Sequence, residues 1–244
     1  MPSERRRPNP GVDSSDAYRF LGQMAQTVLA PSGNRMTTDV RQALRDGARY
    51  VDVVWQVAAR VVAQLGAFRY SALHIRRNDL QYKNVFVSAN ATLRNVAPLL
   101  REGETLYLAT DEQRPEFFDT LRARHPRLIQ WRDLYTEAAG HVLRGVDVPR
   151  KLVGCIEQAI CAMGRRFIGT QHSTFSGYIP RLRGFIGAPD TLIYYHNQPW
   201  SASTEMNRRR QPRHDGRNYM DEDPAMWTTT VGRRAVGGGA GAAR

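Results

Sequence analysis

Short apolar runs alternate with amphipathic segments through the middle of this 244-residue chain. Five runs have the length and composition of buried strands, at residues 70–75, 105–110, 127–131, 166–170 and 191–196. Other segments space their apolar residues as helices do, and they predict helices over 37–65, 91–101, 114–125, 152–164 and 173–183. Strands and helices that alternate in this way predict an α/β domain with a parallel sheet.

Residues at both ends of the longest predicted helix support its limits. Thr37 or Thr38 can cap the longest helix, and Gly66 is a suitable stop for it. The helix over 152–164 has small and apolar residues on most of its faces, so it is predicted to be buried.

Both ends of the chain differ in composition from this domain. Residues 1–16 are polar and Pro-rich, and residues 201–244 are basic and Gly-rich, so both are predicted to be disordered tails. The ordered domain is then predicted over residues 17–200. The sequence has no run of about 18 apolar residues, so no transmembrane segment is expected. Its N-terminus as written does not resemble a signal peptide.

The charge balance raises the question of a nucleic-acid partner. The net charge is +12 and the pI is about 10.4, values that are common in nucleic-acid-binding proteins. However, 11 of the 35 basic residues lie in residues 1–10 and 201–244. An anionic small ligand needs only a few well-placed arginines. We therefore expect no nucleic-acid partner.

Polar residues follow three of the predicted strands. The first strand is followed by His74, Arg76, Arg77 and Asp79, the second ends in Thr110 and Asp111, and the fourth leads to Ser173, Thr174 and Phe175. The carboxyl ends of parallel strands share one edge of a sheet, where helix N-termini bind anions. The three motifs are therefore expected to lie together, and two of them offer phosphate ligands.

Each motif also has a structural interpretation. The two arginines can bind a diphosphate, or they can mark the point where a strand leaves the core. Asp111 can contact a ribose or a base, or it can cap the next helix. The hydroxyls near Ser173 can bind an anion without a metal, or they can form an ordinary cap with Phe175 in the core.

As a set, these residues resemble the protein O-fucosyltransferase family, and in particular its branch that modifies thrombospondin-type repeats. Over residues 40 to 186, the resemblance lies in three blocks: His74-Ile75-Arg76-Arg77-Asn78-Asp79; Ala109-Thr110-Asp111; and Glu157-Gln158-Ala159-Ile160-Cys161 with Phe167-Ile168-Gly169-Thr170 and Ser173-Thr174-Phe175-Ser176. The third block is long and specific.

The resemblance implies the C-terminal, nucleotide-sugar-binding half of a GT-B enzyme, which has two Rossmann-like domains. Enzymes of this family transfer fucose from GDP-fucose to a Ser or Thr hydroxyl of a folded protein domain. They invert the anomeric centre and need neither a metal nor a cofactor. They work in the endoplasmic reticulum lumen, so that compartment is expected here.

Residue roles follow from the same resemblance. Arg76 is expected to be catalytic, because it would contact the β-phosphate and the departing oxygen. The other residues expected to bind or support GDP-fucose are His74 and Glu157 at the nucleoside, Ser173, Thr174 and Phe175 at the diphosphate, and Arg77, Asp79 and Asp111. Asp79 is expected to orient the arginines. The family usually has Asp where Glu157 stands.

One departure leaves other functions open. Only 73 residues precede His74, and they contain no match to the glycine-rich loop of the family's N-terminal domain. The sequence therefore nominates no general base, and the chain is interpreted as lacking much of that domain. The alternatives are a transferase for another glycan and a non-catalytic protein that binds a GDP-sugar.

Overall fold

A single parallel sheet organises the part of the chain that the computed structural model describes, which is residues 50–78, 82–190 and 192–202. The strand order is β3-β2-β1-β4-β5, and every pair of neighbouring strands is parallel. The strands are β1 (Ser71–Ile75), β2 (Leu106–Thr110), β3 (Leu128–Gln130), β4 (Phe167–Gly169) and β5 (Tyr194–Tyr195). This order is that of a Rossmann-like sheet, so the predicted α/β class is confirmed.

Helices cover both faces of the sheet. They are α1 (Asp52–Leu65), α2 (Ala89–Val96), α3 (Asp119–Arg124), α4 (Arg150–Ala162) and α5 (Thr174–Phe185). Short 3₁₀ helices lie at Lys83–Val85, Ala97–Leu99, Pro115–Phe118, Trp131–Tyr135 and Glu137–Ala139.

Neighbouring residues of a strand enter different hydrophobic cores. In β1, Ala72 packs in the cluster that holds residues of α1, α4 and α5. The next residue, Leu73, packs in the cluster that holds Val96 of α2 and Leu121 of α3. Side chains of a strand alternate between the two sheet faces, so a strand covered on both faces is apolar throughout.

The predicted strands are confirmed, since each predicted run contains an observed strand. Residues 37–49 of the predicted helix over 37–65, with its cap at Thr37 or Thr38, lie outside the described residues. The prediction is confirmed from Asp52 to Leu65 and wrong at residues 50 and 51, because Val51 is extended and α1 begins at Asp52. The Tyr50 carbonyl accepts a hydrogen bond from Trp55 Nε1 at 3.2 Å, and the Tyr50 hydroxyl donates to Gln158 Oε1. These contacts stabilise the non-helical backbone that precedes α1.

Two other predicted helices are divided or shifted. Ser88 caps α2 by accepting from the Ala91 N–H at 3.2 Å, and the chain changes to a 3₁₀ helix at Ala97, before Pro98. Proline at position 98 has no N–H for an α-helical bond. The segment over 114–125 likewise begins as a 3₁₀ helix and continues as α3.

The fourth predicted helix, over 152–164, corresponds to α4, but its burial is uneven. Its buried residues are Ile156 and the run 158–162, whereas the N-terminal turn of the helix is partly exposed. The prediction of a buried helix therefore holds for its second half only.

The predicted tails lie outside the described residues, apart from residues 201 and 202, and so does the predicted start of the domain at residue 17. Among the helices that the structure describes, none has the length and hydropathy needed to span a membrane.

Candidate functional site

The three sequence motifs meet at the carboxyl edge of the sheet. Strand β1 lies between β2 and β4, with Ile75 paired to Thr110 and Leu73 paired to Ile168. The loops that follow these strands carry Arg76, Asp111 and the start of α5. The predicted convergence of the motifs is therefore present in the fold.

Asp111 holds the loop that carries Arg76. Its carboxylate accepts from the backbone N–H groups of Arg77 at 2.7 Å and Asn78 at 3.0 Å. The same carboxylate lies 3.2 Å from Arg76 Nε, and the Arg76 side chain keeps 31% of its surface exposed. Asp111 thus orients Arg76, whereas the orienting role expected of Asp79 stays a prediction because Asp79 lies outside the described residues.

Arg77 has a different environment from its neighbour. Its Nε donates to Glu112 at 3.1 Å and its Nη1 donates to the Val87 carbonyl at 2.9 Å. Its guanidinium lies 4.2 Å from the centre of the Phe117 ring and 5.3 Å from that of Phe86. Arg77 is thus bound by the protein itself, and its contact with GDP-fucose stays a prediction.

Glu112 was not among the predicted site residues. It binds both Arg77 and Arg114. Hydrogen bonds from Arg114, followed by that from Arg77, lower the pKa of Glu112 to about 2 against the opposing effect of burial. The sequence signal for Glu112 was its place beside Asp111 at the end of β2.

His74 is buried below the loop, with 2% of its surface exposed. Its Nδ1 lies 2.7 Å from Ser176 Oγ, and its ring stacks on Phe175 with centres 4.2 Å apart. Burial, followed by electrostatic repulsion from His196 and Arg76, lowers the pKa of His74, so the ring is neutral at pH 7. Its contact with the nucleoside stays a prediction.

The N-terminus of α5 lies next to the end of β1, because Ser176 Oγ is 2.7 Å from His74 Nδ1 and accepts from the Thr170 N–H at 2.8 Å. Ser173 caps the helix by accepting from the Ser176 N–H, while Thr174 is exposed at the first helical position. The first N–H groups of any helix have no partner within it, so they can bind an anion.

Gly169 lets β4 approach α5 closely. A Cβ atom at this position would lie 2.7 Å from Ser176 Oγ and 2.8 Å from Ser176 Cβ. The glycine of the Phe167-to-Thr170 motif is therefore required by packing against Ser176 in the first turn of α5.

A cleft of about 260 Å³ opens beside these loops, between the ends of β2 and β3 and α4. Glu157 lines it together with residues that include Thr110, Gln113 and Trp131. The Tyr107 hydroxyl donates to Glu157 Oε1 at 3.1 Å. Burial raises the pKa of Glu157 to about 8, although the Tyr107 bond opposes the shift.

This raised pKa makes the stability of the chain depend on pH. The usual pKa of Glu is 4.5, so between pH 4.5 and about 8 the folded chain binds more protons at Glu157 than the unfolded chain does. The contribution of Glu157 to the free energy of unfolding is therefore highest at low pH and falls as pH rises through this range. Glu157→Gln stays neutral at every pH, so it is expected to remove this pH-dependent contribution to the free energy of unfolding.

The measurement is urea unfolding of the parent and variant at several pH values between about 5 and 9. Glu137→Gln changes an exposed carboxylate in the same way and serves as the control. Parallel pH curves for the parent and Glu157→Gln would contradict the prediction.

In the described residues, no group of three or more His, Cys, Asp and Glu side chains is arranged to hold a metal ion.

Comparison with known proteins decides the family. A family profile described as "GDP-fucose protein O-fucosyltransferase" matches residues 12–186, which is more than half of the chain. The chain belongs to the GDP-fucose protein O-fucosyltransferase family. The family profile extends over all three motifs at the carboxyl edge, from His74 to Phe175.

Two curated proteins of this family are similar to the chain. The GDP-fucose protein O-fucosyltransferase 2 of Pan troglodytes is 26% identical over 153 residues, which are 61% of this chain and 34% of that protein. That of Homo sapiens is 28% identical over 129 residues, which are 51% of this chain and 28% of that protein. The chain thus matches about a third of the length of these relatives.

Proposed function

We propose that this chain binds GDP-fucose at the carboxyl edge of its sheet, as the C-terminal half of a GT-B fucosyltransferase. The reaction is transfer of fucose to a Ser or Thr hydroxyl of a folded protein, in the endoplasmic reticulum lumen. One observation carries the proposal: a partly exposed arginine, Arg76, is held by Asp111 at the sheet edge where α5 begins, in a chain of this family.

The diphosphate would lie between Arg76 and the first turn of α5. Two kinds of group favour a negative charge there: the guanidinium of Arg76 and the N–H groups that follow Ser173. The exposed hydroxyl of Thr174 can add a further donor. Phe175 supports this turn from below through its stacking on His74.

Arg76 would then stabilise the departing GDP. As the bond between the fucose C1 and the β-phosphate oxygen breaks, the electron pair passes to that oxygen. A cation fixed at this oxygen stabilises the developing charge, as a metal ion would in other transferases. The acceptor hydroxyl forms the new bond to C1 from the opposite side, which inverts the anomeric centre, and the hydroxyl proton passes to a general base or to solvent water.

The nucleoside would occupy the cleft beside Glu157. Guanine presents N–H donors at N1 and N2, and a carboxylate can accept from both, whereas adenine lacks this pair. Because the pKa of Glu157 is about 8, binding of guanine to its carboxylate would release a proton near neutral pH. Trp131 forms part of the same cleft and offers an apolar surface to the base.

Calorimetric titration tests this proposal. The purified chain is titrated with GDP and GDP-fucose, and with ADP as the control that changes the base only. We expect GDP to bind with a dissociation constant of micromolar order, about −8 kcal/mol, and ADP to bind at least tenfold more weakly. Equal binding of GDP and ADP, or no binding of GDP, would overturn the proposal for this chain.

A further inference from the structure

A buried threonine connects the loop of Arg76 to the rest of the sheet edge. Thr170 follows β4 and has 0% of its surface exposed. Its Oγ1 donates to the His74 carbonyl at 2.9 Å and accepts from the Arg76 N–H at 2.9 Å. One hydroxyl thus bonds the backbone on both sides of Ile75, where β1 ends.

The third contact of this hydroxyl is with His196. The Nε2 atom of His196 lies 3.1 Å from Thr170 Oγ1. A hydroxyl has one proton and two lone pairs. Because its proton goes to His74 and one lone pair takes the Arg76 N–H, the remaining lone pair must accept from His196. The network therefore assigns the proton of His196 to Nε2.

His196 is itself fixed from several sides. It is 2% exposed, and its Nδ1 lies 3.0 Å from Thr92 Oγ1 on α2, where it must accept. The backbone N–H of His196 donates to the Gly169 carbonyl at 3.0 Å, and its backbone carbonyl accepts from Asn95 Nδ2 at 2.8 Å. Burial and the charge of Arg77 lower the pKa of His196 to about 3, which keeps this ring neutral.

We propose that Thr170 and His196 are positioning residues for Arg76, which they hold at its backbone while Asp111 holds its side chain. This inference rests on the proposed function, since it assigns a purpose to the position of Arg76. Backbone and side chain are then fixed by different strands, β4 and β2, so the guanidinium is oriented before a ligand arrives. Such prior orientation lowers the cost of binding and of reaching the transition state.

The first experiment measures the Arg76 amide itself, without ligand. Amide hydrogen exchange is followed by NMR in the parent, in Thr170→Val, which keeps the shape but removes the hydroxyl, and in Thr170→Ser, which restores it. Thr120→Val is the matched control, because Thr120 is exposed on α3. We expect the Arg76 N–H to lose protection in Thr170→Val only. Unchanged protection would overturn the inference.

The second experiment measures GDP affinity in the same folded proteins. We expect Thr170→Val to weaken binding roughly tenfold, and Thr170→Ser to stay within about threefold of the parent, as for loss and recovery of hydrogen bonds. His196→Leu should weaken GDP binding as much as Thr170→Val does. His196→Gln keeps a donor near the position of Nε2, so its GDP affinity should fall less.

A double-mutant cycle separates positioning from general stability. If Thr170 acts through Arg76, Thr170→Val should weaken GDP binding little further once Arg76→Ala is present. Additive losses would mean that Thr170 affects binding by another route, and would overturn the positioning role. Lost amide protection with unchanged GDP affinity would overturn that role alone. Absence of GDP binding by the parent chain would instead overturn the proposed function, and with it the purpose assigned to these two residues.

Discussion

Arg76→Ala is expected to weaken GDP binding by about 1.5–3 kcal/mol, or roughly 10- to 150-fold, as for loss of a charged hydrogen bond. Arg76 is a partly exposed cation at the carboxyl edge, and its Nε lies 3.2 Å from Asp111. If Arg76 stabilises the departing GDP, fucose transfer should fall further still, by about two to three orders of magnitude. Calorimetry measures the first effect, and release of GDP from GDP-fucose measures the second.

Two variants sharpen this test. Arg94→Ala removes an exposed arginine from α2, and should leave GDP affinity unchanged. An equal loss in both alanine variants would mean that GDP responds to the net charge of +12 rather than to a site. Arg76→Lys keeps the charge but not the planar guanidinium, so its affinity should fall between those of the parent and Arg76→Ala.

The strands and their meeting edge could be predicted from the sequence because both follow from local patterns. A strand that is buried on both faces reads as a continuous apolar run, as in residues 106–110, which are buried except at Thr110. In a parallel sheet, all such strands end at the same edge. The prediction that His74, Asp111 and Ser173 lie along one edge of the sheet therefore needed only the strand assignments and this rule.

The division of work between Arg76 and Arg77 could not be predicted in this way. The two residues are adjacent and identical, and their difference comes from partners on another strand. Asp111 binds the partly exposed Arg76, while Glu112 binds Arg77, whose guanidinium lies near the rings of Phe86 and Phe117. The sequence shows two arginines and two carboxylates but not how they pair, because that depends on the direction of each side chain.

Hydrogen bonds between residues that are far apart in the sequence could not be predicted either. Thr170 and His196 are 26 residues apart, and Thr92 and His196 are 104 apart. Threonine and histidine occur in many environments, so neither residue type signals such a contact. In contrast, the end of α2 before Pro98 follows from proline itself. The prediction of one helix over 91–101 is confirmed as far as Val96 and wrong beyond it, because it gave apolar spacing more weight than Pro98.

The direction of a side chain also decides the role of Arg183, which lies in the last turn of α5 and is 1% exposed. Its Nη1 donates to the carbonyls of Ala162 at 2.8 Å and Gly164 at 2.6 Å. Its Nη2 donates to Arg165 O at 3.1 Å, and its Nε to Asp190 O at 2.9 Å. Burial lowers the pKa of Arg183 to about 10, so it is still charged at pH 7.

Arg183→Ala is expected to reduce the free energy of unfolding by about 3–5 kcal/mol, because it leaves several buried carbonyls without donors and opens a cavity. Arg183→Met fills most of the cavity but provides no donors, so the difference between the two variants measures the packing part. Urea unfolding at pH 7 gives both values, and Arg124→Ala, an exposed change on α3, should stay within about 0.5 kcal/mol of the parent. If Arg183→Met were as stable as the parent, the hydrogen bonds of Arg183 would contribute nothing net to the free energy of unfolding.

Because Arg183 lies at the end of α5 that is remote from Ser173, folded Arg183→Met should bind GDP with the affinity of the parent. Arg76→Ala, in contrast, should have the same free energy of unfolding as the parent. That reciprocal result would separate the residue that holds the fold from the residue that holds the ligand.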